Sequence, residues 1–239
     1  MDLIIDIGNS SVKAAMADSG NFRKQERLKS ATPGIISTYI GRHRLDAAIV
    51  SSTGTDPAPL LSWLRNRCER VHLLTSDSRF PFAIEYRTPE TLGTDRLAAA
   101  AGACYKFPGA DLLVLDAGSA MTVDQITGGV YRGGSISPGL SMRFRALHEF
   151  TGRLPLVRQR KRFTFPGQST ADAIAGGVIM GMVYEINEYI RTFGEKHRSP
   201  VTVITGGDGE ILSGLISGKV WYYPDLVTSG LYYLLEENA

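Results

Sequence analysis

Two segments of this 239-residue chain each place an aspartate and a glycine at the end of an apolar run. The first contains Asp6 and Gly8, and the second contains Asp116 and Gly118. Each pattern predicts a strand, a tight turn and a second strand, with the carboxylate at the tip of the first strand. We expect the glycines to let backbone amides approach a bound group and to supply a positive φ. Either aspartate alone could cap its own turn, but the duplication favours a site for phosphate and a metal ion.

Short polar residues follow both aspartates and could surround a phosphate. Asn9, Ser10 and Lys13 follow the first aspartate, while Ser119 and Thr122 follow the second. Lys13 is expected on the second strand of its hairpin, from which its ammonium could reach a phosphate oxygen. A strand lysine outside such a context is usually solvated. The sequence contains neither a G-x-x-x-x-G-K-[ST] loop nor a strand-linked G-x-G-x-x-G, so nucleotide binding would use hairpins rather than a helix N-terminus.

A third group of residues that could do chemistry is Gly93-Thr94-Asp95-Arg96. Thr94 is predicted to cap a helix, which places Asp95 and Arg96 in its first turn. Asp95 could orient an acceptor hydroxyl and take its proton during phosphoryl transfer. Arg96 could hold a carboxylate or a phosphate with two parallel hydrogen bonds. The alternative is an ordinary capped helix with an acidic first turn, and the spacing alone does not decide between the two.

The elements that must position these residues alternate between strands and helices. Strands are predicted at about 2–7, 11–17, 46–51, 71–75, 112–116, 120–126, 129–137 and 201–205. Helices are predicted at about 32–43, 57–67, 94–107, 140–150, 169–193 and 225–236. This order predicts an α/β fold with partly parallel sheets and a rough internal repeat. We place the domain boundary near Pro108-Gly109, which divides the chain into residues 1–110 and 111–239.

Two glycine-rich turns and one basic cluster are weaker signals. The turns at 133–139 and 205–208 could let a nucleotide approach the backbone, or could be simple connections. A solvated loop is the favoured interpretation of the basic cluster, and a surface for an acidic ligand or partner is the alternative. The cluster consists of Arg153, Arg158, Arg160, Lys161 and Arg162.

Composition excludes several classes of function. A formal net charge of +2 gives no reason to expect binding to nucleic acid. No apolar run approaches the length of a membrane span, and aspartates near the N-terminus argue against a secretory signal. Cys68 and Cys104 form no C-x-x-C pattern, so they predict neither a zinc site nor a disulfide framework. We therefore expect a cytoplasmic protein without nucleic-acid or membrane partners.

Five motifs, taken in order, resemble those of the bacterial type III pantothenate kinases. They are Asp6-Ile7-Gly8-Asn9-Ser10, Gly93-Thr94-Asp95-Arg96 and the segments 116–124, 133–139 and 205–207. The resemblance implies two ribonuclease-H-like domains related by internal duplication, as in the superfamily of actin, acetate kinase, sugar kinases and heat-shock ATPases. It also implies ATP-dependent phosphorylation of pantothenate to 4'-phosphopantothenate, the first step of coenzyme A biosynthesis, by a homodimer.

The resemblance further implies roles for individual residues. Asp95 would accept the proton of the substrate hydroxyl, and Asp116 would hold a monovalent cation, either K⁺ or NH₄⁺. ATP, bound together with Mg²⁺, would contact Asp6, Ile7, Gly8, Asn9, Ser10, Ser11, Val12, Lys13 and Ser119. Pantothenate would contact Tyr86, Gly93, Thr94, Asp95, Arg96 and Thr170.

Two other functions remain open on the same fold. One is a non-catalytic, nucleotide-binding regulatory factor, since some relatives have been regarded as accessory regulators. The presence of Asp95 together with Asp6 and Asp116 argues against it, because a protein that only binds would not need a base. The other is a different kinase or phosphohydrolase of the superfamily, which would explain the two hairpins but not the motif that begins at Gly93.

Overall fold

The computed structural model describes residues 1–158 and 163–238. The chain divides into two compact units. The first comprises Met1–Gly109, Gly129–Tyr131 and Asp225–Ala239, and the second comprises Ala110–Gly128 and Arg132–Pro224. Part of the predicted basic cluster, namely Arg160, Lys161 and Arg162, lies outside the described residues.

The elements follow one another in the α/β order that the sequence predicts. The strands are β1 Asp2–Ile7, β2 Val12–Asp18, β3 Asn21–Leu28, β4 Ala47–Ser52, β5 Arg70–Leu73, β6 Ala83–Ile84, β7 Leu112–Ala117, β8 Ala120–Thr127, β9 Val130–Pro138, β10 Val201–Thr205 and β11 Trp221–Tyr222. The helices are α1 Pro33–Ile40, α2 Ala58–Arg65, α3 Thr94–Lys106, α4 Leu140–Glu149, α5 Thr170–Lys196, α6 Gly209–Ser213 and α7 Leu226–Asn238. None of the described helices is long and apolar enough to cross a bilayer.

The first unit is built on a five-stranded sheet of order β3-β2-β1-β4-β5. The strands β1, β2 and β3 pair antiparallel, while β4 runs parallel to β1 and β5 runs parallel to β4. Leu3, Ile5 and Ile7 pack in one hydrophobic cluster with residues of α1 and α2 such as Ile36 and Leu60. Because side chains alternate along a strand, Ile4 and Asp6 project from the opposite face. That face is contacted by α7 and α3.

The helices α3 and α7 pack against each other with their backbones in close contact. A Cβ atom at Gly230 would overlap the carbonyl oxygen of Ala98, and one at Gly102 would overlap the carbonyl oxygen of Leu226. Only glycine allows this approach, because any larger residue would push the helices apart. The C-terminal helix therefore packs in the first unit, whereas the sequence analysis assigned it to residues 111–239.

Replacing Gly230 by Ala should lower the free energy of unfolding by about 3 kcal/mol, because the added methyl group has no space in the helix contact. Gly177→Ala in α5 is the matched control, since a Cβ atom at Gly177 would have nothing within 4 Å. That substitution should raise the stability by about 0.5–1 kcal/mol through better helix propensity. Urea unfolding measures both effects. Equal effects of the two substitutions would contradict the packing described here.

The second unit contains a mixed sheet of order β11-β10-β7-β8-β9. The strands β7 and β8 form an antiparallel hairpin, and β10 runs parallel to β7. Buried side chains of β7 pack against the 27-residue helix α5, with Leu113 and Leu115 meeting Ile179 and Met182 in one cluster. Both predicted Asp-x-Gly hairpins are therefore confirmed as antiparallel strand pairs.

Four short or polar strands and helices are not predicted from the sequence. The strand β3 reads Asn-Phe-Arg-Lys-Gln-Glu-Arg-Leu and is mostly exposed at the edge of its sheet, so it lacks the apolar alternation that predicts a strand. The elements β6 and β11 have two residues each, and α6 has five. Elements this short carry too few residues for a periodic pattern.

Candidate functional site

Three polar side chains lie side by side on the first unit's sheet. Asp6 is paired across β1 and β2 with Lys13, and across β1 and β4 with Ser51. Cross-strand partners project from the same face, so all three side chains point away from the cluster formed by α1 and α2. Ser51 was missed by the sequence analysis. The available signal was that an apolar run, Ala47–Val50, ends in a hydroxyl residue.

Asp6 is the most strongly perturbed group of this site. It is 7% exposed, and among the described residues its Oδ1 is the buried side-chain oxygen that lacks a hydrogen-bond partner. Burial is the largest influence on the pKa of Asp6 and raises it to about 6. The Lys13 charge and a hydrogen bond with Ser51 act in the opposite direction, whereas the Asp95 charge raises the pKa further. A carboxylate in this environment is stabilised by a cation. Asp6 Oδ1, which has no hydrogen-bond partner, is therefore a suitable ligand for a divalent metal ion.

The metal ligands would come only in part from the protein. Within residues 1–158 and 163–238, no group of three or more His, Cys, Asp or Glu side chains could hold a metal ion. Mg²⁺ characteristically binds through one or two carboxylates and completes its octahedral shell with water and substrate phosphates. Asp6 alone is therefore consistent with Mg²⁺ held mainly by a bound nucleotide.

The first turn of α3 is fastened to the end of β4. The hydroxyls of Thr94 and Ser51 lie 2.9 Å apart, and Thr94 Oγ1 also donates to the carbonyl of Ser52 at 3.4 Å. The prediction that Thr94 caps the helix is wrong, because Gly93 occupies the N-cap position and Thr94 is the first helical residue. Its hydroxyl joins helix to strand instead, which brings Asp95 toward Asp6.

Asp95 is held in place by its own backbone neighbours. The N–H of Arg96 donates to Asp95 Oδ1 at 2.8 Å, and a Cβ atom at Gly93 would lie 2.5 Å from that same oxygen. The glycine of this motif is therefore explained by steric need, because an alanine would displace the carboxylate. Arg96 is 6% exposed, so its charge lies within the fold rather than in bulk water.

The turn of the first hairpin presents exposed polar groups at the same edge. Gly8 donates its N–H to the carbonyl of Ser11 at 3.1 Å, and Asn9 and Ser10 are exposed. Ile7 and Val12 are buried partners across the strands and anchor the turn. The expected positive φ is not found, since neither Gly8 nor Gly118 is among the glycines with positive φ in the described chain.

The second unit brings three predicted motifs together around its own hairpin. A Cβ atom at Gly206, which has φ +91°, would overlap the Asp116 carboxylate, and one at Gly139 would overlap the carbonyl of Gly118. Gly139 also donates its N–H to the carbonyl of Ser119 at 3.2 Å. Asp116 and Ser119 therefore lie where the glycine-rich segments 133–139 and 205–208 approach the hairpin tip. The sequence analysis treated these segments as weak signals.

Two other residues are predicted to bind substrate, one in each unit. Tyr86 is half-buried in the first unit, with its ring 6.4 Å from the ring of Tyr131 in an edge-on arrangement. Thr170 is exposed as the first residue of α5 in the second unit. The N-cap of that helix is Ser169, whose hydroxyl oxygen accepts from the N–H of Asp172 at 3.1 Å.

Solved structures with a similar fold identify the fold class. A glucokinase of the ROK family from Streptomyces griseus, solved with glucose and AMPPNP, matches with a TM-score of 0.54 at 14% identity over 98% of each chain. A Campylobacter jejuni protein provisionally described as a Baf family transcriptional activator matches with a TM-score of 0.67 at 24% identity over 99% of this chain and 98% of that one. At these identities the likeness shows the fold, which is that of the actin-like ATPases and sugar kinases.

Sequence comparison assigns the family within that class. The family model of type III pantothenate kinases matches residues 2–192. A type III pantothenate kinase of Porphyromonas gingivalis strain W83 is 37% identical over 242 residues, which cover all of this chain and 99% of the relative. The chain belongs to the type III pantothenate kinase family and is a kinase.

Proposed function

We propose that this chain transfers the γ-phosphoryl group of ATP to the primary hydroxyl of pantothenate, with Asp95 as the general base. The observation that supports Asp95 as the base is its position: the Arg96 N–H holds it, and it lies near the buried Asp6, whose Oδ1 has no hydrogen-bond partner. The product is 4'-phosphopantothenate, the first intermediate on the route to coenzyme A. We place the reaction in the cytoplasm.

The proposed chemistry is an in-line phosphoryl transfer. The pantothenate hydroxyl oxygen attacks the γ-phosphorus while its proton passes to Asp95, and the bond between the γ-phosphorus and the β,γ-bridging oxygen breaks to release ADP. Lys13 and the turn from Ile7 to Val12 would hold the phosphates, and Asp6 would hold Mg²⁺. The metal ion, when bound, would supply positive charge that neutralises the phosphate oxygens.

The proposal also assigns binding roles to residues within each unit. Arg96 pairs with the carboxylate of pantothenate, and Tyr86, Gly93 and Thr94 line its site in the first unit. The second unit contributes Thr170 to pantothenate binding, Ser119 to ATP binding and Asp116 to a monovalent cation, K⁺ or NH₄⁺. The Asp116 carboxylate lies too close to Gly206 to leave room for a Cβ atom there, which supports a carboxylate held in one position for a cation.

Replacing Asp116 by Asn should remove most of the activation by K⁺, because the amide retains the shape but not the charge that attracts the cation. We expect the activity at saturating K⁺ to fall at least about tenfold, toward the rate measured without K⁺. Titrations of K⁺ against turnover, with Na⁺ keeping the ionic strength constant, measure the effect. An unchanged K⁺ dependence in the variant would contradict the assignment of Asp116.

A homodimer is part of the same proposal. The second unit exposes large apolar side chains at Ile136, Met142 and Tyr184, which are 65%, 48% and 54% exposed. They lie on β9, α4 and α5, and exposed apolar surface of this kind is characteristic of a protein interface. Analytical ultracentrifugation of the wild type and of Tyr184→Asp tests this assignment, since a dimer joined here should dissociate in the variant.

The acceptor specificity tests the function itself. ATP consumption with Mg²⁺ and K⁺ should require pantothenate, and glucose, N-acetylglucosamine and acetate should support less than about a hundredth of that rate. Turnover with a sugar in place of pantothenate would assign another kinase function on this fold. ATP binding without turnover on any acceptor would favour the regulatory alternative.

A further inference from the structure

Four arginines line a cavity in the first unit that the proposed reaction does not use. The cavity has a volume of about 480 Å³, and its cationic walls are Arg44, Arg65, Arg67 and Arg70. These residues lie before β4, at the end of α2 and at the start of β5. Asp6, in contrast, lies near the other end of the same sheet, at the C-terminal end of β1. The arginine cavity is therefore separate from the candidate active site.

The lining of this cavity contains more positively charged than negatively charged side chains. In the part of the chain that the structure describes, none of the four guanidinium groups forms an ion pair with a carboxylate. The cavity also contains Asp46 and Glu69. The α-ammonium group of Met1 binds the Asp46 carboxylate and lowers its pKa, and the charges of Arg44 and Arg70 lower that pKa further. The C-terminal end of α2 accounts for Arg65 through the helix dipole and for Arg67, which donates to the Trp63 carbonyl at 3.4 Å, but not for Arg44 and Arg70.

A smaller cavity adjoins the arginines and adds an aromatic surface. It has a volume of about 200 Å³, shares Arg44 and Arg67 with the larger cavity, and is also lined by Trp63 and His43. The Arg67 guanidinium lies 3.9 Å from the centroid of the Trp63 ring. A guanidinium group held against an indole ring in this way keeps a fixed orientation, in which it can bind an anion.

We propose that these adjoining cavities bind a small polyphosphate ligand that carries a flat ring, in the class of the nucleoside polyphosphates. Four guanidinium groups can bind several phosphate oxygens through paired hydrogen bonds. A ligand with a single phosphate would use only some of these guanidinium groups. The volume falls within the range of small-molecule sites, and the four arginines are exposed at its walls. The Arg67 guanidinium, held against Trp63, provides a planar cation on which a ring can stack.

The test uses Trp63 as a local reporter in the full chain. The sequence contains two tryptophans, so Trp221→Phe leaves Trp63 as the single one. Inorganic tripolyphosphate and adenosine tetraphosphate, titrated separately into this protein, should each change the Trp63 emission to saturation. Arg44→Gln with Arg70→Gln should weaken both affinities at least tenfold, and the tetraphosphate should bind more tightly than tripolyphosphate because of its ring.

Two controls keep the result specific. Arg23→Gln with Arg27→Gln removes two arginines from β3, which does not line the cavity, and should leave both affinities unchanged. Arg65→Gln, at the exposed end of α2, provides a second variant in case the first pair fails to fold. Equal affinity in the cavity variants and the control would overturn the proposal. So would an emission change produced by a single-stranded RNA oligomer but not by tripolyphosphate, which would assign the surface to nucleic acid.

Discussion

Replacing Asp95 by Asn should lower kcat for pantothenate phosphorylation by about 10²–10⁴-fold while leaving the fold intact. Asparagine keeps the size of the side chain and can still accept the hydrogen bond that the Arg96 N–H makes to Asp95 Oδ1. It cannot take the proton of the acceptor hydroxyl. Steady-state kinetics with saturating ATP and pantothenate measure the loss, and circular dichroism verifies the fold.

Two companion variants make this prediction specific. Asp77→Asn removes an exposed carboxylate elsewhere in the first unit and should leave kcat unchanged. Gly93→Ala keeps the Asp95 carboxylate but displaces it, because the new Cβ would lie 2.5 Å from Oδ1, so kcat should again fall. Full activity of the Asp95 variant would reassign the base. Full activity of the Gly93 variant alone would show that the Asp95 position tolerates displacement.

Replacing Asp6 by Asn should stabilise the protein at pH 8 in the absence of metal and nucleotide, by about 3 kcal/mol. The reason is that the pKa of Asp6 is raised to about 6 in the folded protein, so keeping this carboxylate ionised above that pH costs free energy. The sign follows from linkage: the folded state binds the proton more tightly, and wild-type stability therefore falls as the pH rises from 4 through 6. The difference between variant and wild type should become small below about pH 4, where Asp6 is mostly neutral in the unfolded state as well as in the folded state.

The same substitution should abolish function. Without the Asp6 charge, Mg²⁺-dependent turnover should fall at least about a hundredfold, and added Mg²⁺ and ATP should stabilise the wild type more than the variant. Urea unfolding at pH 4 and pH 8, with and without Mg²⁺ and ATP, measures these effects. A variant less stable than the wild type at pH 8 without ligands would show that the carboxylate is already compensated, and would contradict the metal assignment.

Much of the candidate site in the first unit could be predicted from local sequence. An apolar run that ends in Asp6, followed by a glycine turn and a second strand, predicts the hairpin and places Lys13 on its second strand, where the structure pairs it with Asp6. This works because strand pairing and side-chain alternation are set by residues close together in the chain. The α/β order followed from the same kind of local pattern.

Other features depend on contacts between residues far apart in sequence. Ser51 joins the site because β4 lies parallel beside β1, and nothing near Ser51 in the sequence shows this neighbour. Thr94 was predicted to cap a helix because capping is its common local role, but a hydroxyl on β4 competes for it. The packing of Gly230 against Ala98, which draws the last helix into the first unit, likewise joins positions more than a hundred residues apart.

The most direct test of the proposed function is the identity of the phosphorylated product. The chain, incubated with ATP, Mg²⁺, K⁺ and pantothenate, should form one 4'-phosphopantothenate for each ADP, as detected by mass spectrometry and by the ³¹P resonance of a primary phosphate ester. ADP formation should be negligible without pantothenate. Release of inorganic phosphate at the same rate whether or not pantothenate is present, with no phosphate ester, would contradict the proposed function.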